Sequence, residues 1–270
     1  MRITMGIVLA TAACGPTRAS HGADIDAASS IDGTTTTTPP VDAAASGPVD
    51  VVITADNAYS FGYGDIAGVT HFTQGTRALT AGDIFNCPIG TGPEQYTVAE
   101  ADAPPDAYLY IVTWDDLAVT QGVLGQFRRT SGTVYTGDLR FEVCATGINY
   151  ATGPDALTGP DEPTINAQIS ICNNGAGDPT TTSKGWVNAN GATTAGAAGK
   201  LAVGEANDDQ AGTFPIVCQP TATTPGIDAA AQWMWYDPLD GQPGDAFHSN
   251  GTNRFKAFLI FRLAAGQIIE

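Results

Sequence analysis

YLYIVTW, Tyr108 to Trp114, is the stretch whose reading decides the fold. It carries no charge, is rich in aromatic and β-branched side chains, and is closed by Asp115 and Asp116, so it reads as a strand. Working outward, the same signature returns in VDVVIT (Val49–Thr54), YSFGY (Tyr59–Tyr63), LRFEVC (Leu139–Cys144), TFPIVC (Thr213–Cys218), QWMWY (Gln232–Tyr236) and FKAFLIFRL (Phe255–Leu263). Ala55, Asp56 and Asn57 read as the turn that ends the first of these. Helical signal is confined to 162–173: Asp161 can cap, Pro163 sits in the first turn, Gly175 follows the end, and Ile165, Ile169 and Cys172 share one face. The pattern predicts an all-β, jelly-roll-like sandwich with one short helix and long Gly/Thr/Ala-rich loops, concentrated at 176–226.

Composition agrees. Gly 32 and Pro 17 in 270 residues suit many turns, and 14% charged residues is too few for a helical bundle. The net charge of −17 repels phosphates and argues against a nucleic-acid partner.

The first residues, MRITMGIVLATAAC, join one positive charge, a short apolar run and two alanines before Cys14. This ending resembles a bacterial lipobox, with Thr11 where Leu is usual, and Gly15 resembles the residue that follows the cysteine in outer-membrane lipoproteins. The organisation expected is a signal peptide at 1–14 with Cys14 as lipid anchor, a disordered Thr/Pro/Ala/Asp linker at 15–48, and one sandwich domain at 49–270. The linker has no aromatic residue and too little apolar surface to offset its ordering entropy. Export to the outer membrane or cell surface follows, with the membrane engaged through the lipid alone. In an oxidising compartment, Cys87, Cys144, Cys172 and Cys218 form an even set. Three pairings are open; Cys144–Cys172 with Cys87–Cys218 is the one preferred. No CxxC is present, which argues against zinc.

Chemistry is sparse. No nucleophile elbow, P-loop or dinucleotide fingerprint occurs, and the three histidines stand apart in sequence, so no catalytic residue is assigned. Asp237, Asp240 and Asp245 in a Gly-rich loop are candidate calcium ligands, although their spacing does not match an EF-hand. Trp114, Asp115, Asp116, Trp233, Trp235 and Tyr236 combine rings with carboxylates and are the candidate glycan-binding residues. Trp233 and Trp235 alternate with Met234 and Tyr236, so one pair is expected to face the core and the other to face out or into the opposite sheet.

Two segments carry a resemblance. VITADNAY (Val52–Tyr59) followed by FGYG (Phe61–Gly64) is similar to the ITADNxYxLYVNG hairpin of galactose-binding-like jelly-roll modules attached to rhamnosidases. AQWMWY (Ala231–Tyr236) followed by FKAF (Phe255–Phe258) is similar to the AxWIWY…FRxxF opening of those modules. The order is permuted here, as first and last strands that are sheet neighbours would allow, and the Asn-Gly-Lys turn is absent. The resemblance implies the fold and a sugar-binding role, with Asp56 and Asn57 as turn residues. The expected function is therefore a surface lipoprotein with a non-catalytic glycan- or ligand-binding sandwich and a cell-surface glycan or envelope protein as partner. The alternatives are a structural or protein-binding envelope component, and a secreted polysaccharide hydrolase.

Overall fold

The computed structural model describes residues 46–75, 77–80, 83–84, 93–114, 120–149, 157–175, 185–208, 226–239, 245–248 and 257–270. Two antiparallel sheets pack face to face. Their strands are β1 (Val49–Asp56), β2 (Tyr59–Asp65), β3 (Gly68–Thr73), β4 (Glu94–Val98), β5 (Tyr108–Thr113), β6 (Gly122–Arg129), β7 (Gly132–Tyr135), β8 (Glu142–Asn149), β9 (Val187–Asn188), β10 (Gly191–Ala192), β11 (Lys200–Ala206), β12 (Gln232–Asp237) and β13 (Ala257–Ala264). The first sheet runs β11-β12-β6-β1-β4, with β7 also paired to β6; the second runs β10-β9-β8-β13-β5-β2-β3. The expected all-β sandwich is the fold observed.

YLYIVTW is apolar at nearly every position because its sheet is covered on both faces. On the inner face Leu109 and Ile111 join Val143, Ala145, Leu259, Phe261 and Leu263 in the core between the sheets. On the outer face Tyr110, Val112 and Trp114 join Cys144, Phe258 and Ile260, and the helix α1 (Glu162–Asn173) lays Ile165, Ile169 and Cys172 over them. Asp161 caps α1 by accepting a hydrogen bond from Thr164 N at 3.0 Å, and Gly175 ends it with φ 66°.

Two devices fasten α1. Cys144 of β8 is bonded to Cys172 of α1, the expected pairing; Cys87 and Cys218 lie outside the described residues. Arg262 of β13 projects into the same outer layer. Its Nε bonds Glu142 at 2.6 Å, its Nη1 bonds Asn173 Oδ1 at 2.9 Å, and its guanidinium lies 3.8 Å from the Trp186 ring centroid and 5.0 Å from that of Tyr108. Trp186 Nε1 donates to the same Asn173 oxygen at 2.8 Å. The charge is paired, stacked and hydrogen-bonded, which offsets its desolvation. Asn166 closes the sheet edge beside it, accepting from Val69 N at 2.7 Å and donating to Val69 O at 3.0 Å, as a partner strand would.

At the other edge, Glu94 of β4 accepts hydrogen bonds from Tyr59 at 2.7 Å and Tyr96 at 2.5 Å, and Tyr96 packs on Phe61 with centroids 4.6 Å apart. Tyr59 and Phe61 belong to one sheet and Tyr96 and Glu94 to the other, so this cluster laces the sandwich together.

Several elements differ from the sequence reading. β1 continues through Asp56, so the turn is shorter than Ala55–Asn57 implies. Leu139 and Arg140 lie in a turn rather than a strand: Arg140 N bonds the Asp138 carboxylate at 2.9 Å, and β8 begins at Glu142. Strands β9, β10 and β11 lie within 176–226, where long loops are expected. The first and last of these strands are not sheet neighbours, because β1 and β13 belong to different sheets, and β12 is separated from β1 by β6. The segment Thr213–Cys218 lies outside the described residues.

Breaking the Cys144–Cys172 bond, which closes a separation of 28 residues, should lower unfolding free energy by about 3–4 kcal/mol in the Cys144→Ser/Cys172→Ser variant, read from urea unfolding. Arg262→Ala leaves Glu142 unpaired and should cost about 3–5 kcal/mol. High pH provides another test. Burial pushes the Tyr59, Tyr96 and Tyr110 hydroxyls above their ordinary value of 10.0, and Glu94 raises the first two further. A folded-state value above the unfolded one gives stability that is complete below about pH 10 and is lost as pH rises through the folded values. Unfolding free energy from urea titrations should therefore hold up to about pH 10 and then fall, by up to about 1.4 kcal/mol per pH unit for each tyrosine.

Candidate functional site

The aromatic residues singled out in the sequence are interior. Trp114 and Trp233 are 1% exposed, and Trp235 and Tyr236 are 0% exposed. Trp114 lies under Gly159, where a Cβ would meet its ring at 2.5 Å; Trp235 packs on Phe261 at 6.2 Å; Tyr236 donates its hydroxyl to Ala198 O at 2.9 Å. Met234 is also 0% exposed, so alternation along β12 does not divide a core face from a free one. Rings sealed in this way offer no platform to a sugar. Their partners Asp115 and Asp116 lie outside the described residues.

Two of the three calcium candidates, Asp237 and Asp245, are described. Asp237 sits 3.9 Å from Lys200 Nζ and accepts from Leu239 N at 2.9 Å. Asp245 contacts His248 Nδ1 with both oxygens at 2.8 Å and accepts from Phe247 N at 2.8 Å. Burial works to raise the Asp245 carboxyl, but these bonds outweigh it and hold the group below its ordinary value. Asp240 lies outside the described residues, and among the described residues no group of three His, Cys, Asp or Glu side chains is placed to hold a metal.

A different set of residues forms a cleft. The β2–β3 hairpin turns at Asp65–Gly68, where the Asp65 carboxylate accepts from Ala67 N at 2.8 Å and Gly68 N at 3.2 Å. The register shifts between Tyr63 and Gly64, and a Cβ on Gly64 would lie 2.2 Å from Gly68 O, so only glycine fits this bulge. The shift follows the pairing of Tyr63 with His71, whose rings stack with centroids 4.6 Å apart and planes 12° from parallel. Thr70 Oγ1 lies 3.2 Å from His71 Nδ1.

Facing this hairpin is the segment from the 3₁₀ turn Glu100–Asp102 to Ala107, which leads into β5. Together they enclose an open cleft of about 250 Å³ lined by Asp65, Thr70, His71, Asp102, Pro104 and Asp106 with neighbouring small residues. Burial, and then the negative charge of Asp102, raises the Tyr63 hydroxyl above its ordinary value; of the stacked pair, His71 lines the cleft and Tyr63 backs it. Among the described residues no Lys or Arg lines the cleft. Its volume lies just under the roughly 300–1,000 Å³ of drug-sized ligand sites, which suits one small polar unit rather than a deeply enclosed molecule.

Sequence reading missed this site because it followed tryptophan. The available signal was the turn Asp-Ile-Ala-Gly between two aromatic-containing runs, but the pairing of Tyr63 with His71 depends on the bulge. The approach of Asp102 and Asp106 depends on strands that neighbour only in space. Comparison with family models, curated proteins and solved structures returned no match. Nothing in those comparisons identifies a galactose-binding-like module.

The stacked pair gives a direct test. His71 is exposed, so His71→Ala should leave the unfolding free energy within about 0.5 kcal/mol of the parent while shifting the Tyr63 ring resonances. Unshifted Tyr63 signals would show that the rings do not stack in solution.

Proposed function

We propose that this protein is an exported surface lipoprotein whose sandwich is a non-catalytic glycan-binding module, taking its ligand in the cleft beside Tyr63 and His71. The observation that carries this reading is the stacked ring pair next to Asp102 in an open cleft. Sugar recognition sets the apolar face of a ring against an aromatic surface and the hydroxyls against carboxylates. Here His71, stacked on Tyr63, supplies the first and Asp65, Asp102, Asp106 and Thr70 supply the second. The charge of the lining restricts the ligand: carboxylates without a lining Lys or Arg favour neutral or amine-bearing sugars and repel uronate, sulfate and phosphate.

The alternative of an envelope component assembled through strand edges is less supported. Asn166 occupies both backbone groups of Val69 on edge strand β3. The proposed anchor is Cys14, and Cys14→Ala should release the protein from the membrane fraction.

The deciding experiment is glycan-array binding by the full chain, with calcium and again with EDTA. Binding to neutral or amine-bearing glycans that survives EDTA is expected. His71→Ala should weaken it by about 2–10-fold, the range of one aromatic contact. Asp102→Asn should weaken amine-bearing ligands more than neutral ones. A blank array from folded protein, or hits unaffected by both substitutions, overturns the reading.

A further inference from the structure

The loop that forms one wall of the cleft is bonded to the point where the chain enters the sandwich. Gly47 N donates to Glu100 Oε1 at 2.9 Å. Gly47 O accepts from Arg129 Nε at 3.2 Å and Nη2 at 2.7 Å. The same Nη2 donates to Ala103 O at 3.0 Å, and Nη1 donates to Ala265 O at 3.0 Å. Arg129 is 5% exposed, and its guanidinium thus joins three chain segments through carbonyls alone. Burial lowers its pKa and the Glu100 charge opposes that shift. Glu100 and Ala103 flank Ala101 and Asp102 of the cleft lining.

We infer that Gly47, Glu100 and Arg129 are the positioning residues of the cleft, so that the state of the N-terminal junction sets the placement of Asp102 and hence ligand affinity. A guanidinium shared between Gly47 O and Ala103 O loses its geometry when either carbonyl moves. Displacing the junction therefore displaces the wall, and ligand in the cleft steadies the junction by the same coupling. The loop is also supported from the C-terminal side, where Ala265 N bonds Ala107 O at 2.8 Å and Gly266 N bonds Pro105 O at 3.0 Å. One end of the wall is thus held by the C-terminal turn and the other by the junction. This inference rests on the reading of the cleft as the ligand site.

Two full-chain substitutions test it. Gly47 has φ 84°, and a Cβ there would lie 2.8 Å from Thr130 Oγ1, so Gly47→Ala displaces the junction without touching the core. Glu100→Ala removes the acceptor of Gly47 N from an exposed position, and Glu100→Gln restores an acceptor. Both disruptive variants should retain the parental fold by circular dichroism and lose affinity for the array hits by about fivefold or more, with Glu100→Gln near the parent. Amide resonances of Asp102 and Asp106 and ring resonances of His71 should shift in Gly47→Ala, a readout that needs no ligand. Shifts that stop at Glu100, Ala103 and Thr130, or parental affinity in both disruptive variants, overturn the inference. A blank array with shifts reaching His71 would remove the glycan reading and leave the coupling intact.

Discussion

The seven-stranded sheet must bury two apolar faces, and the rest of the structure is arranged around that requirement. One face is met by the opposite sheet. The other is met by a single helix too short to be stable alone, so its position has to be fixed from outside. The Cys144–Cys172 bond fixes one end covalently. Arg262 fixes the surroundings: it is tied to Glu142 on the neighbouring strand and to Asn173 at the end of the helix, with its cation against Trp186. Removing the helix would expose Trp114, Tyr110 and Phe258 together, a patch that a soluble domain does not tolerate.

Covering the second face also decides where recognition can occur. Tryptophans gathered beneath α1 and between the sheets are used for packing. The β2–β3 hairpin, by contrast, keeps rings near solvent: Tyr63 only partly packs on the core and His71 is exposed. The Glu94–Tyr59–Tyr96 lace keeps the sheets together just inside that edge. Beyond it the sandwich opens, and carboxylates from a facing loop complete the cleft.

Legibility in the sequence varied with the locality of the signal. Helix α1 was readable to the residue, since Asp161, Pro163 and Gly175 act within a few positions of themselves. β5, β12 and β13 were readable because long apolar runs report burial on both faces. β11 was not: KLAVGEA contains weak strand formers, and its pairing with the tryptophan strand β12 holds it in place. The start of β8 was misplaced because Leu139 and Phe141 mimic strand alternation, whereas Asp138 and Arg140 bond each other and form a turn.

The sequence by itself determined an antiparallel sandwich and its capped helix, whereas the choice of Cys144–Cys172 among three open pairings came from the fold that brings β8 and α1 together. It also determined a strongly acidic chain, with a net charge of −17. Tertiary structure alone decided which aromatic residues are free. Alternation along a strand tells two faces apart but does not say whether the second face is covered; that depends on Gly159 over Trp114 and on Ala198 beside Tyr236, segments distant in sequence. It also decided the cleft, because a one-residue bulge aligns Tyr63 with His71 and a buried arginine holds Asp102 opposite them. Local propensity acts over a few residues, whereas burial and register are fixed by whatever packs from elsewhere in the chain.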